Sequence, residues 1–130
     1  MPKQPVATPR APQAIGPYSQ ATVATGGRLV YCSGQIPLDP QTGQMVGEGD
    51  VVLETQQVIR NLAGVLQAAG ASLDDVVKTT IYLTDLGNFG LVNQAYAAHF
   101  SSDPPARSTV QVAALPRGAQ VEIEAVAVVD

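Results

Sequence analysis

Hydrophobic residues recur at helical spacing between Asp50 and Ala69, and no other segment shows the pattern so clearly. Asp50 and Glu54 near the start favour the positive end of the helix dipole, and Gly70 suits a left-handed C-terminal cap. The pattern therefore predicts a helix over 50–69. Its apolar stripe consists of Val51, Val58, Ile59, Leu62, Val65, Leu66 and Ala69.

A second helix and several strands are predicted around this helix. The segment 88–100 carries apolar side chains along one helical side. Two glycines at the centre of 25–28 predict a hairpin turn between the first two strands. Segments rich in β-branched or alternating apolar residues predict the strands, which are 20–24, 29–33, a short one at 44–46, 76–84, 107–112 and 121–129.

The predicted order of elements is ββ(β)αβαββ, in which two helices can cover only one face of the sheet. The last strand, however, carries apolar residues on both faces. Val126 and Val128 lie on one face, and the other face carries Val121, Ile123, Ala125, Ala127 and Val129. A second apolar face needs a second cover, so we expect an α+β domain that associates with further copies of itself.

The length of 130 residues fits one domain, and 45% hydrophobic residues are enough for a core. Four prolines within the first dozen residues predict an extended, loosely held arm over 1–14. The single domain is then expected to span 15–130.

The charge distribution excludes several classes of partner. The formal net charge is −4, and no run of Lys and Arg offers a footprint for nucleic acid or for an anionic membrane surface. No apolar run approaches a membrane span, and the N-terminal residues lack the apolar region of a signal peptide. We therefore expect a cytoplasmic protein. One cysteine and one histidine argue against a disulfide, a clustered metal site and a metal cofactor.

The common nucleophilic sets are also missing. Cys32 lies in an apolar strand, where a buried small residue is the favoured interpretation. His99 lies near the end of the second predicted helix, where a structural or solvent role is favoured over catalysis. No glycine-rich phosphate loop is present, and no serine has an evident base.

Four polar residues remain as candidates for chemistry. Arg107 follows Pro104 and Pro105 at the start of a strand, which suits either bidentate capture of a carboxylate or pairing with a surface acid. Glu122 and Glu124 lie on one face of an apolar strand, where a carboxylate is either a solvated edge residue or a buried acid facing a cleft, beside Arg107 in the second case. Tyr18 either offers its phenol to a ligand or caps the core.

Five short blocks are specific when taken together. They are Ile15-Gly16-Pro17-Tyr18-Ser19-Gln20, Ser33-Gly34-Gln35-Ile36-Pro37, Val92-Asn93-Gln94-Ala95-Tyr96, Pro105-Ala106-Arg107-Ser108-Thr109-Val110 and Val121-Glu122-Ile123-Glu124-Ala125. In this order and spacing they closely resemble the Rid family of reactive imine/enamine deaminases, also known as YjgF. The resemblance extends from about Ile15 to Val129, and Arg107 occupies the position of the arginine found in the deaminating branch.

The resemblance implies a chorismate-mutase-like α+β fold. In that fold a single domain packs two helices on one face of a mixed sheet, and a homotrimer has clefts between its subunits. It implies that Arg107, Glu122 and Tyr18 are catalytic: Arg107 binds the substrate carboxylate and Glu122 helps to place the attacking water. The residues expected to bind substrate together with Arg107 are Ser33, Gly34, Gln35 and Asn93.

The implied activity is that of a 2-iminobutanoate/2-iminopropanoate deaminase. Such an enzyme hydrolyses 2-imino acids, formed from enamines such as 2-aminoacrylate, to 2-oxo acids and ammonia. The site has only to fix the carboxylate, hold a water and move a proton, so no cofactor is implied. The expected partners are a small 2-imino or 2-oxo acid and identical subunits, and the expected role is the removal of reactive by-products of serine or threonine dehydration.

Two other function classes compete with this expectation. The first is a non-catalytic trimer that binds a 2-oxo acid and regulates. The second is an RNA endonuclease, which the acidic balance disfavours. Thr109 stands where some relatives have cysteine, which argues against an obligatory thiol. The loop 86–90 varies on the family's usual loop, and we expect this to affect substrate size rather than chemistry.

Overall fold

The computed structural model describes residues 2–100 and 102–130, and the elements within them follow the order β1-β2-β3-α1-β4-α2-β5-β6. Short 3-10 turns lie at Leu73–Asp75, Leu86–Asn88 and Pro116–Gly118. The strands are β1 (Lys3–Val6), β2 (Ala21–Ala24), β3 (Arg28–Gln35), β4 (Val76–Leu83), β5 (Ala106–Gln111) and β6 (Val121–Val129), and the helices are α1 (Val51–Ala68) and α2 (Phe89–Ala97).

The main sheet has the order β3-β6-β4-β5 and is mixed. β6 pairs antiparallel with both β3 and β4, whereas β4 and β5 are parallel and are joined through α2. Parallel neighbours need such a crossover, because a tight turn reverses the chain direction and can join only antiparallel strands. The predicted α+β architecture, with two helices packed on one face of a mixed sheet, is confirmed.

The helix α1 begins and ends as the sequence predicts. The Asp50 carboxylate accepts hydrogen bonds from the backbone N–H groups of Val52 and Leu53, and Gly70 adopts a φ of +79° just beyond the helix. The predicted core face of β6 is also confirmed, because all of its members are buried within one cluster. These residues are Val121, Ile123, Ala125, Ala127 and Val129.

The predicted hairpin across 25–28 is wrong, although the turn itself exists with positive φ at Gly26 and Gly27. β2 pairs with β1, and β3 pairs with β6. A Cβ atom on Gly27 would lie 1.9 Å from the carbonyl oxygen of Val129, so the turn passes directly against the end of β6. Burying the apolar side of β3 beside β6 thus outweighs local pairing with β2.

Two further predictions need correction. The arm over 1–14 is not loosely held, because Lys3–Val6 forms β1 and the carbonyl of Pro2 accepts a hydrogen bond from Thr25; Met1 lies outside the described residues. The segment 44–46 does not form a strand. Only one isolated bridge, between Leu38 and Met45, occurs there, because the surrounding turn residues leave no partner strand beside it.

The sheet face opposite the helices exposes several apolar side chains. Leu29, Tyr31 and Val110 are 54%, 74% and 42% exposed. Val126 is half-buried, and Val128 is buried within the chain. The prediction that Val128 needs a cover from outside the chain is therefore wrong, and the exposed apolar side chains of this face lie on β3 and β5 instead. Among the described helices, none has the length and hydropathy of a membrane-spanning segment.

Candidate active site

Arg107 is the second residue of β5 and lies on the side of the sheet that the helices cover. It pairs in parallel register with Thr79 of β4, which is fully buried. Residues paired in this way present their side chains to the same face of a sheet. Arg107 is therefore held half-buried between the edge of the sheet and α2.

Three residues of α2 meet the Arg107 guanidinium. Phe89, Asn93 and Tyr96 follow at intervals of four and three residues, so they share one face of the helix. Nη1 of Arg107 donates a hydrogen bond of 2.7 Å to Oδ1 of Asn93. Cζ lies 5.2 Å from the ring centroid of Tyr96 and 5.6 Å from that of Phe89.

Tyr18 adds a third ring from a different segment, with its centroid 5.4 Å from Cζ of Arg107. The next residue, Ser19, donates hydrogen bonds from its hydroxyl to the Pro104 carbonyl and from its backbone N–H to the Pro105 carbonyl. The loop bearing Tyr18 is thus attached directly to the segment that precedes Arg107.

Among the described residues, Tyr96 and Tyr18 rather than carboxylates are the titratable neighbours of the guanidinium. Burial lowers the pKa of Arg107, and the neighbouring Tyr96 and Tyr18 raise it. Burial likewise raises the pKa of Tyr96 to about 12, against smaller opposing effects of its hydrogen bond to Thr79 and of the Arg107 charge. The Tyr96 phenol is therefore neutral at pH 7, and the aromatic rings and Asn93 leave the guanidinium free to accept an anion.

The expectation of an acid beside Arg107 is not borne out within the chain. Glu122 alternates with the buried Val121 and Ile123 along β6, so its side chain lies on the face opposite the helices. It pairs with Tyr82 of β4 and is half-buried.

Ser33, Gly34 and Gln35 lie at the end of β3, where a bulge interrupts its pairing with β6. The Glu122 carboxylate lies against Gly34, since a Cβ atom there would be 2.0 Å from Oε2 of Glu122. Glycine is therefore required for the close approach of the backbone to the carboxylate. Ser33 is exposed, and its carbonyl accepts a long hydrogen bond of 3.4 Å from Nε2 of Gln35.

The structure therefore divides the predicted site residues into two groups. Arg107, Asn93 and Tyr18 form the first, which we call the arginine group; Glu122 with residues 33–35 forms the second, the carboxylate group. Residues 33–35 on β3 lie at the edge opposite β5, three strand intervals or about 14 Å away, and Glu122 on β6 lies two intervals, or about 10 Å, from β5. Because the two groups also lie on opposite faces, one chain does not bring them into a single cleft.

The two remaining candidates, Cys32 and His99, differ in exposure. Cys32 is 6% exposed, and burial raises the pKa of its thiol. His99 is exposed at the end of α2, where its backbone N–H bonds to the carbonyl of Tyr96. Within 2–100 and 102–130, the His, Cys, Asp and Glu side chains form no cluster of three that could hold a metal ion.

Phe89 and Tyr96 are the partners of Arg107 that sequence reasoning missed. Both lie on the apolar side of the predicted second helix, but that pattern does not connect them with Arg107. Their spacing around Asn93 is the signal that points to a shared face. Thr109 also faces this side, two residues after Arg107, and its hydroxyl is buried without a hydrogen-bond partner among the described residues.

Comparisons with known proteins agree with this fold. The sequence model of the family described as Endoribonuclease L-PSP matches residues 8–129. A mouse 2-iminobutanoate/2-iminopropanoate deaminase is 52% identical over 123 residues, covering 95% of this chain and 89% of the relative. The protein DfrA of Myxococcus xanthus is 52% identical over 128 residues, covering 98% of this chain and 97% of DfrA.

A solved structure gives the same result. RidA from an Antarctic Psychrobacter is 44% identical, with a TM-score of 0.75 over 97% of this chain and 99% of that one. The two helices on a mixed sheet define an α+β protein of the YjgF type. The chain belongs to the Rid (YjgF) family, and the homologues named as imino acid deaminases support Rid-family deamination.

Proposed function

We propose that the chain hydrolyses 2-imino acids to 2-oxo acids and ammonia. The observation that carries the proposal is the half-buried Arg107 guanidinium, which is held by Asn93 and three aromatic rings and has no carboxylate partner within 2–100 and 102–130. The planar guanidinium can form two parallel hydrogen bonds to the carboxylate of a small acid, and its partial burial strengthens these bonds. The name of the mouse relative supports this choice of substrate.

The catalytic cleft lies, in this proposal, between two copies of the chain in a homotrimer. The arginine group of one copy faces the carboxylate group of its neighbour, because the two groups lie on different strands and on opposite faces of one sheet. The exposed apolar residues Leu29, Tyr31 and Val110 supply the surface for association. We propose the cytoplasm as its setting.

The mechanism begins with the substrate carboxylate on the Arg107 guanidinium, with Asn93 fixing the plane of the guanidinium and Tyr18 stacked beside it. The protonated imine is already electrophilic at its carbon. A water held by the Glu122 carboxylate forms a C–O bond to that carbon and gives its proton to Glu122, which produces a carbinolamine. Glu122 returns that proton to nitrogen and then accepts the proton of the new hydroxyl group, so that the C=O bond of the 2-oxo acid forms as the C–N electron pair leaves with ammonia. Loss of the second proton to solvent restores the Glu122 carboxylate.

A coupled assay tests this function. A serine/threonine dehydratase generates the imino acid, and 2-oxo acid release is followed with wild type, Arg107→Ala and Arg107→Lys. Loss of a bidentate charged contact costs about 2–4 kcal/mol, so kcat/KM should fall about 30- to 1000-fold in Arg107→Ala. Lysine keeps the charge but not the fork, so Arg107→Lys should recover only part of the loss.

Arg28→Ala is the matched control, because Arg28 is exposed and bonds only to the carbonyl of Ala69 among its described neighbours. It should retain the rate of wild type. The contrary outcome is that the wild-type protein binds a 2-oxo acid without accelerating 2-oxo acid formation from any of several imino acids. In that case the chain is a sensor, and the proposed function is wrong.

A further inference from the structure

One side chain, that of Gln20, holds together the loop that carries Tyr18. Oε1 of Gln20 accepts a hydrogen bond of 2.6 Å from the backbone N–H of Thr8. Nε2 donates to the carbonyls of Thr8, Ala11 and Pro12 at 3.1, 3.3 and 2.6 Å. We call these four hydrogen bonds the Gln20 clasp. A primary amide is suited to this task, because it combines two donors with an acceptor in one rigid plane.

Packing alone does not fix this loop. A cavity of about 790 Å³ lies between the N-terminal segment and Tyr18, Ser19 and Gln20, with Pro5, Val6 and Pro104 also in its wall. The prolines between Thr8 and Gln20 lack backbone N–H groups, so this segment cannot form the regular backbone hydrogen bonds of a β-strand. The hydrogen bonds of the Gln20 side chain therefore contribute much of the free energy that keeps the loop in one conformation.

The same loop determines where the Tyr18 ring lies. The Tyr18 hydroxyl accepts a hydrogen bond of 3.3 Å from the N–H of Ile15, and the backbone N–H of Tyr18 donates to the carbonyl of Gly16. Both partners lie inside the span that the Gln20 clasp closes. On its other side the ring contacts the Arg107 guanidinium.

We propose that Gln20 is a positioning residue that acts through Tyr18. The Gln20 clasp fixes the Tyr18 ring beside the guanidinium before ligand arrives, so that binding does not have to order the loop. The proposal rests on the proposed function only in taking a small carboxylate as the ligand of Arg107. Gln20 itself touches neither Arg107 nor the substrate.

A double-mutant cycle on ligand affinity tests the proposal. The Kd of 2-oxobutanoate is measured by calorimetry at 25 °C for wild type, Gln20→Ala, Tyr18→Ala and the double variant, beside the thermal midpoint of each. We expect the Gln20→Ala substitution to weaken 2-oxobutanoate binding about fivefold or more when Tyr18 is present. In the Tyr18→Ala background it should weaken binding less than about twofold. A merely structural role would lower the thermal midpoint without this coupling.

Two further variants sharpen the result. Gln20→Glu keeps the acceptor for Thr8 but loses the three donated bonds, so it should also weaken binding about fivefold or more. It replaces Gln20→Ala in the cycle if that variant does not fold. Gln13→Ala is the control, because Gln13 is an exposed glutamine of the same loop and should bind like wild type. Unchanged affinity in both Gln20 variants, or an equal loss with and without Tyr18, would overturn the proposal.

The outcome is separable from that of the proposed function. Wild type that binds 2-oxobutanoate without releasing ammonia would refute deamination, while the cycle would still decide the role of Gln20. Wild-type deamination that Gln20→Ala leaves unchanged in KM and kcat would refute the present proposal alone. Wild type that does not bind 2-oxobutanoate would remove the basis of both.

Discussion

Replacing Gly34 with alanine displaces the Glu122 carboxylate without touching the Arg107 site. The added Cβ would lie 2.0 Å from Oε2, 2.8 Å from Cδ and 3.1 Å from Cγ of Glu122. Reaching an ordinary contact of about 3.4 Å requires the carboxylate to move by more than an ångström. Gly34 is not among the glycines with positive φ, so the backbone itself accepts alanine.

The cost should therefore fall on catalysis more than on stability. The atoms that must move are the end of a flexible side chain, so the loss of unfolding free energy should stay within about 1 kcal/mol. A misplacement of about 1 Å in a reacting group can cost about 100-fold in rate. We expect Gly34→Ala to lower kcat about 10- to 100-fold in the dehydratase-coupled assay, with the Kd of 2-oxobutanoate changed less than about threefold.

Gly64→Ala is the matched control for this substitution. Gly64 lies within α1, and a Cβ there meets nothing within 4 Å. Because alanine is the better helix former, this variant should be more stable by about 0.5–1 kcal/mol and fully active. Wild-type kcat in Gly34→Ala would refute the reasoning, since Glu122 would then not need its present position.

Three other predictions concern single side chains. Glu122→Gln should lower kcat far more than it weakens 2-oxobutanoate binding, because an amide cannot accept the proton of the attacking water; equal losses in both would remove Glu122 from proton transfer. Burial raises the pKa of Tyr96 above that of an unfolded chain, so its contribution to the free energy of unfolding is complete below pH 10 and is lost as the pH rises towards about 12. Tyr96→Phe should flatten that decline in chemical denaturation at several pH values, by about 1–3 kcal/mol, and a decline as steep as that of wild type would contradict the burial of this phenol. Cys32 should react with a thiol reagent at the rate of global opening, and Cys32→Ala should keep full activity; rapid labelling of the native protein would contradict its burial.

The elements that the sequence predicts well are those whose pattern is local. The stripe of α1, the glycine just beyond its end and the alternation along β6 are each contained within one segment. The structure has them with nearly the predicted bounds, although Val65 of the stripe is exposed. Pairing between segments is a different matter. The glycines of 25–28 indicate a turn correctly, but the close passage of Gly27 against Val129 is a long-range contact that turn chemistry does not report.

The site shows the same division. The motifs place Arg107 and Asn93 in one site, and the two side chains do bond to each other. The ring cluster around Arg107 depends on the parallel register of β4 and β5, which brings Arg107 beside Thr79 and under α2. That register follows from the packing of the whole sheet, so local sequence patterns do not reveal it.

Glu54 illustrates how tertiary contacts add a role that a pattern does not show. Its position at the start of α1 predicts an interaction with the helix dipole. In the structure it is 1% exposed and its carboxylate accepts two hydrogen bonds of 2.8 Å, from the backbone and the side-chain amide of Gln120. The Glu54 carboxylate therefore fixes Gln120, which directly precedes β6 and lies two residues before Glu122.

A mixing experiment tests the central claim, a cleft shared between copies, most directly. Arg107→Ala and Glu122→Gln, each inactive alone, are unfolded together at equal concentrations, refolded and assayed for 2-oxo acid release. If each cleft combines the arginine group of one copy with the carboxylate group of its neighbour, random assembly leaves about a quarter of the clefts intact. The account predicts recovery of about a quarter of wild-type activity. Activity no higher than that of the separate variants would contradict it.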